Sequence, residues 1–254
     1  MLLALDVGNT NVTVGIFKNG VMADHRRLRT VREQTSDEWG ILLSSLLSFA
    51  GQDPNTLDGI IISSVVPPLN PALSEMAQRY FRTEAMFVTA ETDTGLTILY
   101  ENPAEVGADR IVNSVAALHK YGGPCVIVDL GTAITFDAVS AKAEYLGGII
   151  AAGIAISAEA LFSRTARLPL VDFRKPPSLI GTNTVASMQS GLYYGAIGAI
   201  DGTVQRMISE LGPDTRVIAT GGQACLIAGG SRYIRHVDRN LTLDGLQLIW
   251  DRTR

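Results

Sequence analysis

The residues best suited to chemistry in this sequence are two aspartates, each at the end of an apolar stretch and two positions before a glycine. Asp6 lies in LLALDVGNTNVTVGIF, residues 2–17, and Asp129 lies in VIVDLGTAITFDAV, residues 126–139. A glycine lets backbone N–H groups approach an anion closely, and Asn and Thr side chains add hydrogen bonds. A carboxylate beside such a turn can hold the cation that accompanies a polyphosphate. Each stretch predicts either a phosphate-binding turn or an ordinary tight hairpin.

The repetition of this pattern favours phosphate binding over a plain hairpin. Asp129 follows Asp6 by about half a chain length in a chain of 254 residues. In both stretches the residues around the turn are apolar and β-branched, which predicts two short strands joined by the turn. An Asp-Gly-Thr hairpin opening each half indicates a duplicated nucleotide-binding fold, with phosphate loops that face each other across a cleft.

A third carboxylate, Asp109, lies near a predicted helix start and beside Arg110. The helix begins either at Asn102-Pro103 or later, around residues 107–109, and continues to Tyr121. The helix dipole is expected to favour the charged form of Asp109, and Arg110 can bind a carboxylate or phosphate in a bidentate manner. The alternative is a simple helix cap with a surface ion pair.

Around these residues the sequence alternates between strand and helix patterns. Thr35 and Glu38 have capping-box spacing and open a predicted helix that ends at Phe49. Residues 59–66 predict a buried strand, residues 70–81 a helix, and residues 85–88 another strand. Such alternation predicts a mixed sheet covered by helices.

In the second half, residues 145–168 predict a glycine-rich turn around Gly147, Gly148 and Gly153, followed by a helix. The longest helical pattern covers residues 185–211. Four glycines, which recur within it at spacings of three and four, lie on one stripe: Gly191, Gly195, Gly198 and Gly202. Glycine costs up to about 1 kcal/mol inside a helix, so close packing against a sheet, a second helix or the same helix of another subunit must offset it.

Composition excludes several classes of protein. Hydrophobic residues make up 46% of the chain and charged residues 18%, which is typical of a globular protein. The net charge of −4 and the absence of a Lys/Arg run argue against a sequence-independent nucleic-acid binder. No apolar run reaches the length of a membrane span, and the chain enters a strand directly, so we expect a cytoplasmic protein. Cys125 and Cys225 are expected to be buried, reduced thiols.

Common catalytic motifs of other classes are missing. The three histidines have no neighbouring G-x-S-x-G, and the sequence contains no G-x-x-x-x-G-K-[ST] loop. Phosphoryl transfer from ATP fits the residues that remain.

Five short motifs occur together and in one order: D-x-G-N-T-N at Asp6, Y-x-N-P at Tyr100, G-A-D-R at Gly107, D-x-G-T-A at Asp129 and N-T-x-x-S-M-Q-S-G-x-Y-x-G at Asn183. In this set the chain resembles type III pantothenate kinases, which belong to a superfamily with actin, sugar kinases and heat-shock chaperone ATPases. The resemblance implies an α/β protein with a duplicated ribonuclease H-like fold. Two mixed sheets flanked by helices would have an ATP cleft between them, in halves covering residues 1–120 and 121–254.

The resemblance also implies an activity and its site residues. The activity is ATP-dependent phosphorylation of pantothenate to 4′-phosphopantothenate, the first step of coenzyme A biosynthesis, in a homodimer that binds neither nucleic acid nor membrane. ATP would be held by Asp6, Val7, Gly8, Asn9, Thr10, Asn11, Val12, Thr13, Lys18 and Thr132. Pantothenate would be held by Tyr100, Gly107, Ala108, Asp109, Arg110 and Thr184. Asp109 would accept the proton from the substrate's primary hydroxyl.

Two metal ions are implied as well. Asp6 would support Mg²⁺ or another divalent cation, and Asp129 would bind K⁺ or NH4⁺. One departure from the family pattern is Ala152 before Gly153, where family members commonly have proline.

Two other functions share this ATP machinery. One is a non-catalytic, regulatory nucleotide-binding protein on the same fold, and the other is a kinase of another small alcohol. The sequence contains Asp109 and Arg110 in addition to Asp6 and Asp129. This favours the pantothenate kinase, because a pure regulator has no evident need for the third carboxylate.

Overall fold

The computed structural model describes all residues from Met1 to Arg254. The first part of the chain contains β1 (Leu2–Val7), β2 (Asn11–Lys18), β3 (Val21–Arg29), α1 (Ser36–Phe49), β4 (Gly59–Ser64), α2 (Asn70–Phe81), β5 (Ala85–Phe87), β6 (Thr97–Ile98) and α3 (Ala108–Tyr121). The second part contains β7 (Cys125–Leu130), β8 (Ala133–Val139), β9 (Glu144–Ala152), α4 (Ile154–Arg164), α5 (Thr184–Leu211), β10 (Arg216–Thr220), α6 (Ala224–Ala228), β11 (His236–Val237) and α7 (Leu241–Arg252).

The chain forms two compact units. The first consists of Met1–Ala116 with Leu241–Arg254, and the second of Ala117–Asn240. The terminal helix α7 thus packs with the first unit, although it follows the second in sequence. The halves expected from the sequence, 1–120 and 121–254, describe the two copies of the repeated fold and not the compact units, and they stay a prediction.

The first unit is built on a five-stranded sheet in the order β3-β2-β1-β4-β5. The strand β1 is antiparallel to β2 and parallel to β4. One face carries a core in which Leu5, Trp39 and Met76 are fully buried. On the other face α7 packs so closely that a Cβ on Gly59 would lie 1.9 Å from the ring of Trp250. Helices therefore cover both faces.

The second unit repeats this arrangement. Its strands run in the order β11-β10-β7-β8-β9, with β7 antiparallel to β8 and parallel to β10. A separate core contains Val128, Tyr193 and Ala219. The strands that carry Asp6 and Asp129 therefore occupy equivalent central positions, in agreement with the predicted duplication.

Several local predictions are confirmed. Thr35 caps α1 with a complete capping box, in which Glu38 accepts a hydrogen bond from the backbone N–H of Thr35 at 2.8 Å. The helix α2 has the predicted bounds, residues 70–81. Of the two predicted starts for α3, the later one is right, because Pro103–Glu105 forms a separate 3₁₀ turn.

Two predictions are wrong. Gly147 and Gly148 lie in β9, which pairs with β8, and not in a turn. Gly147 has φ +123° where the register of this pairing shifts, so a glycine there marks a strand irregularity. Cys225 is exposed, whereas Cys125 is buried as expected.

The glycine stripe of α5 meets nothing within its own chain. A Cβ added to Gly191, Gly195 or Gly198 would find no atom within 4 Å, and one on Gly202 would meet only the side chain of Arg206. Within one chain, therefore, neither a sheet nor another helix packs closely against these glycines.

None of the helices has both the length and the apolar character that crossing a membrane requires.

Candidate active site

The turn between β1 and β2 is closed by its own backbone. The N–H of Gly8 donates to the carbonyl of Asn11 at 3.0 Å, and a Cβ on Gly8 would lie only 3.1 Å from that oxygen. Asn9 and Thr10 form the exposed tip, and Asp6 is partly buried just before it. The tip is thus available to a ligand, and a carboxylate lies at its base.

Strand pairing divides the predicted ATP residues between two faces. Asp6 is paired with Thr13, so their side chains project from the same face of the sheet. Val7 and Val12 project from the other face and are fully buried in the core. The two valines can therefore contact a nucleotide only through their backbone, whereas Asp6 and Thr13 can use their side chains.

Lys18 lies far from this turn. It is the last residue of β2, whereas Asn11 is the first, and Lys18 is paired with Val21 at the opposite end of the strand. At ~3.4 Å per residue, about 24 Å of strand separates the two ends. The structure does not bring Lys18 to the turn.

Asp109 and Gly107 form one compact feature at the start of α3. A Cβ on Gly107 would lie 2.6 Å from Asp109 Oδ1 and 3.5 Å from the Val65 side chain. The backbone N–H of Val65 in turn donates to the carbonyl of Val7 at 3.0 Å. Asp109 is thereby placed next to the carboxyl ends of β1 and β4, the end of the sheet that also carries Asp6 and its turn.

Burial dominates the electrostatics of Asp109. Desolvation raises the pKa of its carboxyl group, although the backbone N–H and the positive charge of Arg110 oppose the shift. Arg110 N–H donates to Asp109 Oδ1 at 2.8 Å. The donors at the helix start therefore favour the charged form of Asp109, as expected, but lost hydration outweighs them and the net shift of the pKa is upward. The carboxylate is a stronger base than an exposed aspartate.

The helix α3 is fixed against the C-terminal helix. Thr242 Oγ1 donates to Asn113 Oδ1 at 2.7 Å, and Asn113 is only 1% exposed. A Cβ on Gly245 would lie 2.3 Å from the carbonyl of Val112, so the two backbones are in close contact. Arg110 and Ala108 are buried in the first turn of α3. This packing orients the segment that carries Asp109.

Tyr100 precedes α3 and is partly buried. It stands between β6 and the 3₁₀ turn Pro103–Glu105, which is braced by a hydrogen bond from Asn102 Nδ2 to Glu105 Oε1 at 2.9 Å. The residues predicted to hold pantothenate in the first unit therefore lie in one continuous stretch of the chain: Tyr100, Gly107, Ala108, Asp109 and Arg110.

In the second unit, Asp129 lies at the end of β7 in a glycine-lined position. A Cβ on Gly221 would lie 2.6 Å from Asp129 Oδ1, and the φ of Gly221 is +90°. Thr132, in the exposed turn after β7, has its carbonyl against Gly153, where a Cβ would lie 2.0 Å away. Gly221 and Gly153 therefore leave space for the Asp129 carboxylate and for the backbone of the Thr132 turn, respectively.

Neither aspartate belongs to a ready-made metal cage, since no three His, Cys, Asp or Glu residues cluster in the molecule. Mg²⁺ often binds through one or two carboxylates, water and substrate phosphates. A single carboxylate at Asp6 beside the turn fits such an ion. At Asp129, the space left by Gly221 gives the carboxylate room that a side chain would fill.

Thr184 is the first residue of α5 and is exposed. Asn183 caps this helix, with its Oδ1 accepting from the N–H of Ala186 at 2.9 Å. Thr184 lines a cavity of about 700 Å³ whose other walls include Leu161, Leu168, Met188 and Leu192. Thr182, Asn183 and Ser187 line it as well, so the cavity combines apolar walls with several polar side chains.

Sequence reasoning missed two features that support the site. Thr30 hydrogen-bonds to the Gly8 carbonyl, and Thr242 to Asn113. Thr30 follows a basic stretch that resembles a solvated surface, and Thr242 is 129 residues away from its partner. No local pattern in the sequence indicates either contact.

Solved structures of other proteins have a similar fold over nearly the whole chain. A conserved protein from Campylobacter jejuni, described as a transcriptional activator of the Baf family, matches with a TM-score of 0.60 at 19% identity, over 99% of this chain and 98% of that one. A protein from Sinorhizobium meliloti, described as a 2-dehydro-3-deoxygalactonokinase, matches with a TM-score of 0.59 at 12% identity, over 100% and 99%. These likenesses confirm the duplicated, actin-like α/β fold.

Comparison of sequences is more specific. A protein from Solibacter usitatus called type III pantothenate kinase is 64% identical over 252 residues, covering 99% of this chain and 97% of that protein. The family model for type III pantothenate kinase matches residues 2–206. This range contains all five motifs and every predicted site residue. The chain therefore belongs to the type III pantothenate kinase family.

Proposed function

We propose that this chain transfers the γ-phosphoryl group of ATP to the primary hydroxyl of pantothenate, with Asp109 as the general base. The observation that carries the proposal is the position of Asp109. It is partly buried with a raised pKa, beside the buried Arg110, at the end of the sheet that carries the Asp6 turn. This position supports binding of the acceptor hydroxyl at Asp109, close to phosphate groups held by the Asp6 turn.

In the proposed reaction, Asp109 accepts the hydroxyl proton as the hydroxyl oxygen forms a bond to the γ-phosphorus. The bond between that phosphorus and the bridging oxygen breaks, and ADP leaves with the electron pair. The transition state of such a transfer is loose, so positioning and charge stabilisation contribute more than base strength. Arg110 would bind the substrate carboxylate through its guanidinium group.

The nucleotide would be held by the turn from Asp6 to Thr13 and by Thr132. Backbone N–H groups and the side chains of Asn9 and Thr10 would contact phosphates. A divalent cation at Asp6 would neutralise phosphate charge when bound, and Asp129 would hold K⁺ or NH4⁺. The position of Lys18 at the far end of β2 gives no support for a phosphate contact, so the proposed nucleotide site does not include Lys18.

The active form is proposed to be a homodimer. The glycine stripe of α5 is open within one chain. The same unit exposes several large apolar side chains on β9, α4 and the start of α5: Ile149, Ile150, Ile156, Phe162 and Val185. Such a surface is typical of subunit contact rather than of solvent exposure. A location in the cytoplasm stays a prediction.

The test is the rate of ADP release with ATP and Mg²⁺, with and without pantothenate, in K⁺ and then Na⁺ buffer. We expect turnover that requires pantothenate and K⁺. Glycerol and hexoses are the control acceptors, and equal turnover with them would indicate a kinase of another alcohol. Nucleotide binding without turnover on any acceptor would favour the regulatory function.

A further inference from the structure

The turn between β1 and β2 is held from outside by Thr30, the residue that follows β3. Thr30 Oγ1 donates to the carbonyl of Gly8 at 2.6 Å. The backbone N–H of Thr30 donates to the carbonyl of Thr10 at 3.0 Å. Two carbonyl oxygens of the turn are thus held by one residue, which is itself partly buried.

These contacts decide which way the peptide groups of the turn face. In a trans peptide the C=O and the following N–H point in opposite directions. Since the Gly8 carbonyl is directed at Thr30, the N–H of Asn9 is directed away from Thr30. A phosphate is attracted by N–H groups and repelled by carbonyl oxygens, so this orientation favours an anion at the tip.

The side-chain contact goes beyond what the strand pairing supplies. The bond from Thr30 N–H to Thr10 continues the ladder between β2 and β3, in which Asn11 is paired with Arg29. The bond from the Thr30 hydroxyl instead reaches Gly8, at the end of β1. Gly8 has no side chain of its own to restrict this peptide group, so the hydroxyl supplies a restraint that a hairpin alone lacks.

We propose that Thr30 is a positioning residue for the phosphates of ATP, acting through the Gly8 carbonyl rather than by contact with the nucleotide. The proposal deepens the proposed function, since it rests on the turn from Asp6 to Thr13 binding ATP. It assigns to the end of β3 a role in nucleotide affinity that is separate from proton transfer at Asp109.

The experiment compares Thr30→Val, Thr30→Ser and Thr56→Val with wild type. Valine keeps the shape and the backbone N–H bond of Thr30 but removes the hydroxyl, whereas serine keeps the hydroxyl. Thr56 is the matched control, because its Oγ1 also donates to a backbone carbonyl, that of Asp53 at 2.8 Å, near the opposite end of β1. The quantities measured are kcat, KM for ATP, KM for pantothenate, and the Kd of ATP by calorimetry.

We expect Thr30→Val to raise KM and Kd for ATP about tenfold, which corresponds to about 1.4 kcal/mol, with kcat and the pantothenate KM near wild type. Thr30→Ser should keep most of the wild-type ATP affinity, and Thr56→Val should leave that affinity unchanged. Unchanged ATP affinity in Thr30→Val would overturn the proposal. So would an equal loss in Thr30→Val and Thr56→Val, or a Thr30→Ser protein as weak as Thr30→Val.

Failure of the proposed function gives a different result. If wild type binds ATP but does not turn over with pantothenate, the calorimetric comparison still tests Thr30. If wild type shows no ATP binding at millimolar nucleotide, the role of Thr30 is overturned together with that of the turn.

Discussion

The carboxylate of Asp109 occupies the space that a side chain on Gly107 would need, since a Cβ there would lie 2.6 Å from Asp109 Oδ1. Real Cβ atoms do not approach oxygen so closely. The glycine of the G-A-D-R motif thus leaves space for the carboxylate two residues later, and its φ is not positive. The backbone N–H of Arg110 donates to the same oxygen at 2.8 Å, so moving the carboxylate aside would also break this hydrogen bond.

Gly107→Ala is expected to lower kcat about 10²-fold by displacing the Asp109 carboxylate from its position. Loss of global stability should be smaller, because only the end of one short side chain must shift. Steady-state kinetics and thermal unfolding of the purified variant provide the check.

The control for this interpretation is a double-mutant cycle. In an Asp109→Asn background, Gly107→Ala should cost little further activity, because the group it displaces no longer accepts a proton. If the two losses multiply instead, Gly107 acts on another part of the site.

Asp109→Asn is expected to lower kcat by roughly 10²–10⁴-fold while KM for ATP changes little, since the amide cannot accept the proton but keeps the shape. Asp37→Asn is a suitable control, because Asp37 is likewise in the first turn of a helix, in α1. Wild-type turnover in Asp109→Asn would remove Asp109 from the role of base.

The pH dependence of kcat/KM provides a separate test of Asp109. A base is inactive when protonated, and burial raises the pKa of the Asp109 carboxyl group above the ordinary aspartate range. The acid limb of the wild-type profile is therefore expected nearer to neutral pH than the ordinary aspartate value of about 3.9. A limb at or below that value would contradict the predicted desolvation.

The same shift has a consequence for stability. Because the folded pKa of Asp109 is raised, the unfolded chain releases this proton at lower pH than the folded protein does. Between the two pKa values the folded state binds more protons, so the free energy of unfolding falls as pH rises and then stays lower. Asp109→Asn lacks this titration.

We therefore expect Asp109→Asn to be more stable than wild type at pH 7 to 8, with the advantage shrinking as pH falls towards the unfolded pKa. Urea unfolding of both proteins from pH 4 to pH 8 measures the difference. An advantage that is constant with pH, or that grows on acidification, would contradict the sign of the shift.

Gly221→Ala is expected to impair the Asp129 site. A Cβ would lie 2.6 Å from Asp129 Oδ1 and from the backbone of Leu130, at a φ of +90° that already disfavours alanine. Stability should fall by about 1–3 kcal/mol, and activation by K⁺ should weaken.

Gly212→Ala separates the two causes of that loss. Gly212 has φ +107° with no atom within 4 Å of its Cβ position, so alanine there introduces backbone strain without the clash. This control should lose some stability and keep its response to K⁺. Equal K⁺ responses in both variants would argue against cation binding at Asp129.

The homodimer is tested at Gly195, whose Cβ position is open within one chain. Gly195→Glu should convert the dimer to a monomer, measured by light scattering, because a charged side chain cannot enter a close helix crossing. Gly20→Glu, at an exposed turn in the other unit, should leave the assembly unchanged. A wild-type protein that is already monomeric would reject the dimer.

Much of the fold was predictable because its signals are local. The capping box at Thr35, the alternation of strands with helices, and the two turns that follow Asp6 and Asp129 all depend on residues close together in sequence, so a sequence pattern predicts them. The turn predicted at Gly147 and Gly148 is wrong, because both glycines lie in the strand β9. Their strand is defined by pairing with β8, which a window of sequence does not contain.

For the site, short motifs in the sequence were enough to identify the groups that are present: the aspartates, the turn residues and Arg110. Their burial, contacts and separation depend on the folded chain. Burial raised the pKa of Asp109 against the expected effect of its helix start, and the length of β2 separated Lys18 from the turn. The Thr30 hydroxyl reached Gly8 across 22 residues. Desolvation and long-range contacts depend on neighbours distant in the chain, which is why only the folded structure reveals them.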